Sequence, residues 1–149
     1  MLRITVDYLP TDCKADTHQH MTPDSVTIHW IGPYPGQSPA DVRKYWTTTE
    51  ASAHYIIKDA ICMQCWPNDK VAWHCGNKKG NESSIGIEVI PANIDGEFSE
   101  LSIKTLRELY NHLGLKSIYR HFDWNGKQCP AYYTDKTKWT ELCNKIQSC

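Results

Sequence analysis

Short β-rich runs alternate along this chain with stretches that carry helix start and stop signals, and that alternation restricts the fold to α/β, a central sheet flanked by α-helices. The run Ser25–Ile31, SVTIHWI, places Val26, Ile28 and Trp30 on one face and Thr27, His29 and Ile31 on the other, as a strand does. Further strands are predicted over Ala53–Asp59, Ile61–Trp66, Ser84–Ile90 and Ser117–Phe122. After the loop IGPYPGQ, Ser38-Pro39-Ala40-Asp41 reads as an N-cap, a proline at the first helical position and an acid at the third. The helix that follows is expected to bury Val42, Tyr45 and Trp46. A longer helix is predicted from Leu101 to Leu113, with Ile103, Leu106, Tyr110 and Leu113 on one side and Gly114 as its stop. A last helix should begin after Asp135 and turn Trp139, Leu142, Cys143 and Ile146 inward. No repeat or linker-like stretch divides the chain, so residues 1–149 are read as one domain. A chain of 149 residues can withdraw roughly two thirds of its unfolded surface from water and needs no disulfide staples.

Charge and cysteine use narrow the function. With 16 Lys and Arg against 17 Asp and Glu the net charge is -1, which supplies no basic footprint for nucleic acid. No stretch approaches a membrane span, so membrane insertion is not expected. The first twenty residues interleave Asp, Lys and His with short apolar pieces, which predicts no secretory signal, synthesis in the cytoplasm and cysteines held as thiols. Seven cysteines cannot all pair within one chain. Cys62-x-x-Cys65 has redox or half-zinc spacing but no partner pair, and reads as packing within a strand; Cys13, Cys75, Cys143 and Cys149 receive no role. His18 and His20 fall in a polar stretch and are expected in solvent. Nothing in the sequence speaks to oligomeric state.

The chemistry gathers around His121-Phe-Asp-Trp-Asn-Gly-Lys-Gln-Cys129-Pro130. A strand end that supplies imidazole, a glycine turn and a returning thiolate can bring two donors to one ion, as Zn²⁺ prefers; the same pair also reads as a hydrogen-bonded histidine and a packed cysteine. His29, an imidazole inside an apolar strand, is either a third ligand or a satisfied core histidine. Three protein ligands leave a fourth position open, the arrangement of a catalytic site. Glu88 in IGIEVI points away from Ile85, Ile87 and Val89. It is a carboxylate tuned by burial to exchange a proton near neutral pH, or an edge residue in solvent. Lys127 is a fixed charge for an oxyanion, or a solvated turn residue.

In chain order, SVTIHWIG, SAHYIIKD, VAWHCGN, SSIGIEVI and YRHFDWNGKQCP resemble the type 2 zinc N-acetylmuramoyl-L-alanine amidases. That family includes phage and prophage endolysins and shares its fold with peptidoglycan recognition proteins. The match runs from Thr27 to Pro130. The resemblance implies the peptidoglycan-recognition-protein fold, with His29, His121 and Cys129 as zinc ligands, Glu88 as catalytic acid/base and Lys127 assisting the oxyanion. It further implies a substrate groove that takes in His74, Trp73 and Asn77, together with His54 of the second motif. One branch of the family carries Tyr before that motif's His and lacks the strand glutamate. Here the position is Ala53 and Glu88 is present, so the likeness is to the glutamate-using branch, with Tyr55 packing. Some cytoplasmic recycling amidases have Asp where this chain has Cys129.

Trp30, Trp73 and Trp124, beside the motif histidines, either pack or line a groove for sugar and stem peptide. The implied reaction is hydrolysis of the amide between N-acetylmuramic acid and L-alanine of peptidoglycan, with a zinc cofactor and the cell wall as partner. An endolysin would act on the wall once the membrane is opened. Two alternatives stand beside it: a module that binds peptidoglycan without cutting it, and a recycling amidase for soluble muropeptides.

Overall fold

The computed structural model describes residues 1–148, and Cys149 lies outside the described residues. The strands are β1 (Ile4–Val6), β2 (Ser25–Trp30), β3 (Tyr55–Lys58), β4 (Ile61–Gln64), β5 (Ser84–Val89) and β6 (Ser117–Arg120). They form one mixed sheet in the order β1-β4-β3-β5-β2-β6. Among these strands of the described residues only β3 and β4 pair antiparallel, through a tight turn in which Asp59 takes a positive φ of 51°. The interior strands β2 and β5 are nearly continuous runs of buried residues, as strands covered on both faces must be.

The helices are α1 (Pro39–Trp46), α2 (Lys78–Ser83), α3 (Glu100–Leu113), α4 (His121–Asn125) and α5 (Lys136–Gln147), with a 3-10 turn at Ala131–Thr134. On one face of the sheet Ile103, Leu106 and Leu109 of α3 and Leu142 and Ile146 of α5 pack against Val26, Ile28, Ile85 and Ile87. A fully buried side chain such as Leu106 contributes about 1.5–3 kcal/mol through the water it sheds. On the other face Val42 and Trp46 of α1 join Ile56, Met63, Trp66 and Ile90. The α1 cap forms as the sequence predicts: Ser38 Oγ accepts from the Asp41 N–H at 3.1 Å, and the Asp41 carboxylate accepts from the Ser38 N–H at 2.9 Å. Gly114, at φ 67°, closes α3.

Three features depart from the sequence reading. Tyr45 is 65% exposed, because α1 lies on the sheet by one narrow stripe at Val42 and Trp46. The predicted strand Ser117–Phe122 ends at Arg120, whose N–H donates to the Asp123 carboxylate at 2.7 Å and so starts α4 at His121. The edge strand β1 and the helix α2 were not apparent in the sequence. Cys62 and Cys65 are buried as packing residues, as the sequence predicts, and belong to opposite faces of the sheet.

At the N-terminal side, the Asp16 carboxylate is buried and held by Lys70 Nζ at 2.6 Å and by the N–H groups of Asp12 and His18, each at 2.9 Å. His18 and His20 are exposed. Among the described residues no helix is long and apolar enough to cross a membrane.

Candidate metal centre

Parallel pairing fixes this site. His29 of β2 stands opposite Glu88 of β5, which stands opposite Ile56 of β3. Residues level with one another in parallel strands share a face, so His29 and Glu88 emerge side by side near the carboxyl ends of their strands, the edge at which α/β sheets bind ligands. On the other flank of β2, Arg120 of β6 pairs with Ile28, and the next residue, His121, is delivered beside His29. Gly126, at φ 79°, ends α4, and the chain returns through a turn in which the Cys129 N–H donates to the Lys127 carbonyl at 2.7 Å. The Phe122 N–H then donates to the Cys129 carbonyl at 2.9 Å, anchoring the cysteine next to the histidine eight positions before it.

Nδ1 of His29 lies 3.1 Å from Nδ1 of His121 and 3.8 Å from Sγ of Cys129. All three residues are buried, and one ligand atom from each lies within 4.8 Å of the others. Two donors bonded to one tetrahedral zinc lie about 3.3–3.6 Å apart, so the spacing suits a single ion. Two imidazoles and a thiolate form the borderline-soft donor set that zinc takes, with a fourth position left for a small ligand. Among the described residues the buried side-chain polar atoms lacking a hydrogen-bond partner are Glu88 Oε2 and His121 Nε2, both belonging to this cluster. The residues present therefore fit a zinc ion.

Electrostatics agree with the geometry. Burial, reinforced by His74 and His121, drives His29 well below the ordinary histidine range, and burial with Lys127 brings His121 down to about 4. Both rings are thus neutral, with lone pairs free to bind a cation. Burial, together with Glu88, pushes the Cys129 thiol up to about 12 in the metal-free protein, so its ionisation is coupled to arrival of a cation. Burial likewise raises Glu88 to about 8 against the opposing pull of Lys127. Glu88 Oε1 sits 3.9 Å from Nδ1 of His29. Glu88 and Lys127 open onto a cleft of about 510 Å³ whose wall includes Trp30, Tyr34, Gln37 and Tyr45.

The residues expected along a substrate groove are distributed differently. His74 is only 8% exposed and lies beneath His29, with Nδ1 at 2.9 Å from Nε2 of His29. His54 is fully buried, and both its nitrogens are engaged, by the Gly86 N–H at 3.0 Å and the Lys70 carbonyl at 2.6 Å. Neither ring presents a free edge to the cleft. Trp73, half-exposed, and Asn77 line a separate pocket of about 350 Å³ with Gln19, Lys78 and Glu82. The Asn77 side chain caps α2 by accepting from the Gly80 N–H at 3.0 Å, and it donates to the Trp124 carbonyl at 3.3 Å. Of the three tryptophans weighed for a groove, Trp30 lines the metal-side cleft. Trp124 is a packing residue: its Nε1–H donates to Thr27 Oγ1 at 3.0 Å and its ring lies over Gly80. The sequence reading missed Tyr34 and Tyr45 as cleft residues, and Gly86, whose place inside a strand was the available signal of a close approach.

Residues 19–132 match the family described as N-acetylmuramoyl-L-alanine amidase. The chain is 32% identical over 146 residues to the N-acetylmuramoyl-L-alanine amidase XlyA of Bacillus subtilis, covering 91% of this chain and 48% of XlyA. It is 29% identical over 159 residues to the amidase CwlH of the same organism, covering 99% of this chain and 62% of CwlH. The chain thus spans roughly half to three fifths of the length of these curated relatives. Among solved structures it superposes on a mutant endolysin from Bacillus subtilis with a TM-score of 0.84, at 26% identity over 98% of this chain and 99% of that one. The catalytic domain of XlyA gives a TM-score of 0.82, at 27% identity over 97% and 99%.

Proposed function

The chain belongs to the N-acetylmuramoyl-L-alanine amidase family, and from that membership we propose that it is a zinc hydrolase that cuts the amide joining N-acetylmuramic acid to L-alanine in bacterial peptidoglycan, in the manner of an endolysin. The observation that carries this reading is the convergence of three buried donors, His29, His121 and Cys129, with the Glu88 carboxylate beside them at the floor of an open cleft. His29, His121 and Cys129 would hold the zinc ion, which when bound supplies Lewis acidity to water and to the scissile carbonyl.

Glu88 takes the proton of the attacking water as the new C–O bond forms, and returns it to the alanine nitrogen as the C–N bond breaks. Burial suits it to both transfers by holding its affinity for a proton close to the working pH. Lys127, whose charge already acts on Glu88 across the cleft, offers a positive charge to the oxyanion, an interaction of the kind that contributes a few kcal/mol to the transition state. The cleft's aromatic wall at Trp30, Tyr34 and Tyr45 offers flat apolar faces to sugar rings or stem peptide.

The test uses purified cell walls with and without a chelator. The expected products are a free L-alanine amino terminus and an intact lactyl carboxylate, with activity lost on chelation and restored by zinc. Glu88→Ala should bind zinc and fold normally yet lose about 10²–10⁴-fold in turnover. Full activity in that variant, or in the chelated protein, overturns the assignment. Cleavage confined to soluble muropeptides, with intact sacculi untouched, overturns the endolysin part of it.

A further inference from the structure

Nε2 of His29, on the opposite side of the ring from the atom that faces His121 and Cys129, lies 2.9 Å from Nδ1 of His74. Nε2 of His74 in turn lies 3.3 Å from the carbonyl oxygen of Ser84. A carbonyl can only accept. A neutral His74 must therefore carry its proton on Nε2 and show a lone pair at Nδ1, and that lone pair calls for a proton on Nε2 of His29. Nδ1 of His29 is then left bare.

The His74 ring is locked in the orientation this requires. It lies flat over Gly86, so close that a Cβ at that position would fall 2.7 Å from Cγ and 2.9 Å from Nδ1 of His74. His54 packs edge-on against it with ring centroids 6.1 Å apart, itself tied to Gly86 by the backbone N–H that its Nδ1 accepts. Gly86 thus serves two purposes: its N–H fixes His54, and its missing side chain makes room for His74.

We propose that His74, seated on Gly86, is a positioning residue for the metal centre: it carries the polarity of the Ser84 carbonyl through two imidazoles and keeps Nδ1 of His29 unprotonated and aimed at the ion. The inference rests on the reading of His29, His121 and Cys129 as zinc ligands, and it gives His74 a role behind the metal in place of one against substrate. A partner that sets the tautomer and angle of a ligating histidine typically changes metal affinity about 10–100-fold when removed.

Two measurements test it. Heteronuclear NMR of the ring nitrogens in the metal-free wild-type protein should show both His29 and His74 protonated at Nε2. A proton on Nδ1 of either ring overturns the proposal without recourse to any variant. Zinc affinity, read by competition with a chromophoric chelator, should fall about 10–100-fold in His74→Phe, which keeps a planar ring and removes both hydrogen bonds. His74→Gln, which can still accept from His29 and donate to Ser84, should recover most of the loss. Gly86→Ala, which alters no polar side chain, should weaken zinc binding by displacing the ring. Wild-type affinity in His74→Phe overturns the positioning role alone, whereas a wild type that takes up no zinc overturns the metal site and the positioning role together.

Discussion

Glu88→Gln should stabilise the metal-free protein while disabling it as a catalyst. Glu88 is partly buried at the cleft floor, with Oε2 out of reach of water and unpartnered, and burial raises its pKa from the ordinary 4.5 to about 8. A group whose proton is held more tightly in the folded state favours folding less and less as pH rises from its unfolded pKa to its folded one, because the unfolded chain releases the proton first. At about 1.4 kcal/mol for each pH step beyond 4.5, the ionised group costs the fold about 1 kcal/mol at pH 5 and about 3 kcal/mol at pH 7, levelling off above pH 8. Glutamine keeps the shape and has no charge to lose. Urea unfolding of zinc-stripped wild type and variant should therefore give similar stabilities near pH 4.5 and a gap that widens towards pH 8 in favour of Glu88→Gln. Since small domains are stable by only about 5–15 kcal/mol, the effect is large enough to measure. A constant gap across that range, or a less stable variant at pH 8, would refute the account of Glu88 as a carboxylate kept in place at the expense of the fold.

Asp16 carries the opposite pH signature. Burial alone would raise its pKa, but the Lys70 ammonium and the N–H groups of Asp12 and His18 outweigh burial and lower it from 3.8 to about 2. Its contribution is fully present above pH 3.8 and disappears as pH falls towards 2, so Asp16→Asn should flatten the acid limb of a stability-pH curve; an unchanged limb would show that Lys70 does not hold a charged partner. Tyr45→Ala should leave the melting temperature nearly unchanged, because the side chain is 65% exposed, and should raise KM on cell walls. A large loss of stability with no change in KM would return Tyr45 to the core.

The strands and the main helices are legible in the sequence because their signals are local. SVTIHWI and SSIGIEVI alternate or run apolar as buried strands do, and Ser38-Pro39-Ala40-Asp41 spells out its cap. The candidate donors stand out locally, since His29 interrupts an apolar strand and His121 and Cys129 bracket a glycine turn, but that signal fits packing as well as ligation, and their grouping is implied by the family resemblance alone. What escapes is set by partners distant in the chain. Helical periodicity could not tell that the sheet receives only Val42 and Trp46, so Tyr45 was placed one stripe too deep. Helix α2, KKGNES, contains no apolar residue to make a pattern and rests on the Asn77 cap. The depth of His74, on the loop before α2, depends on a missing side chain at Gly86 in β5, which no count of residues around VAWHCGN reveals.

The histidines that face each other at 3.1 Å are 92 positions apart, and the second stands at the end of β6, an outermost strand with a single neighbour. An ion gripped there clasps the outermost strand to its only neighbour, joining stretches far apart in the chain. Stripping it should fray that border before the interior yields, so amide exchange after chelation should quicken first from Ser117 to Asn125.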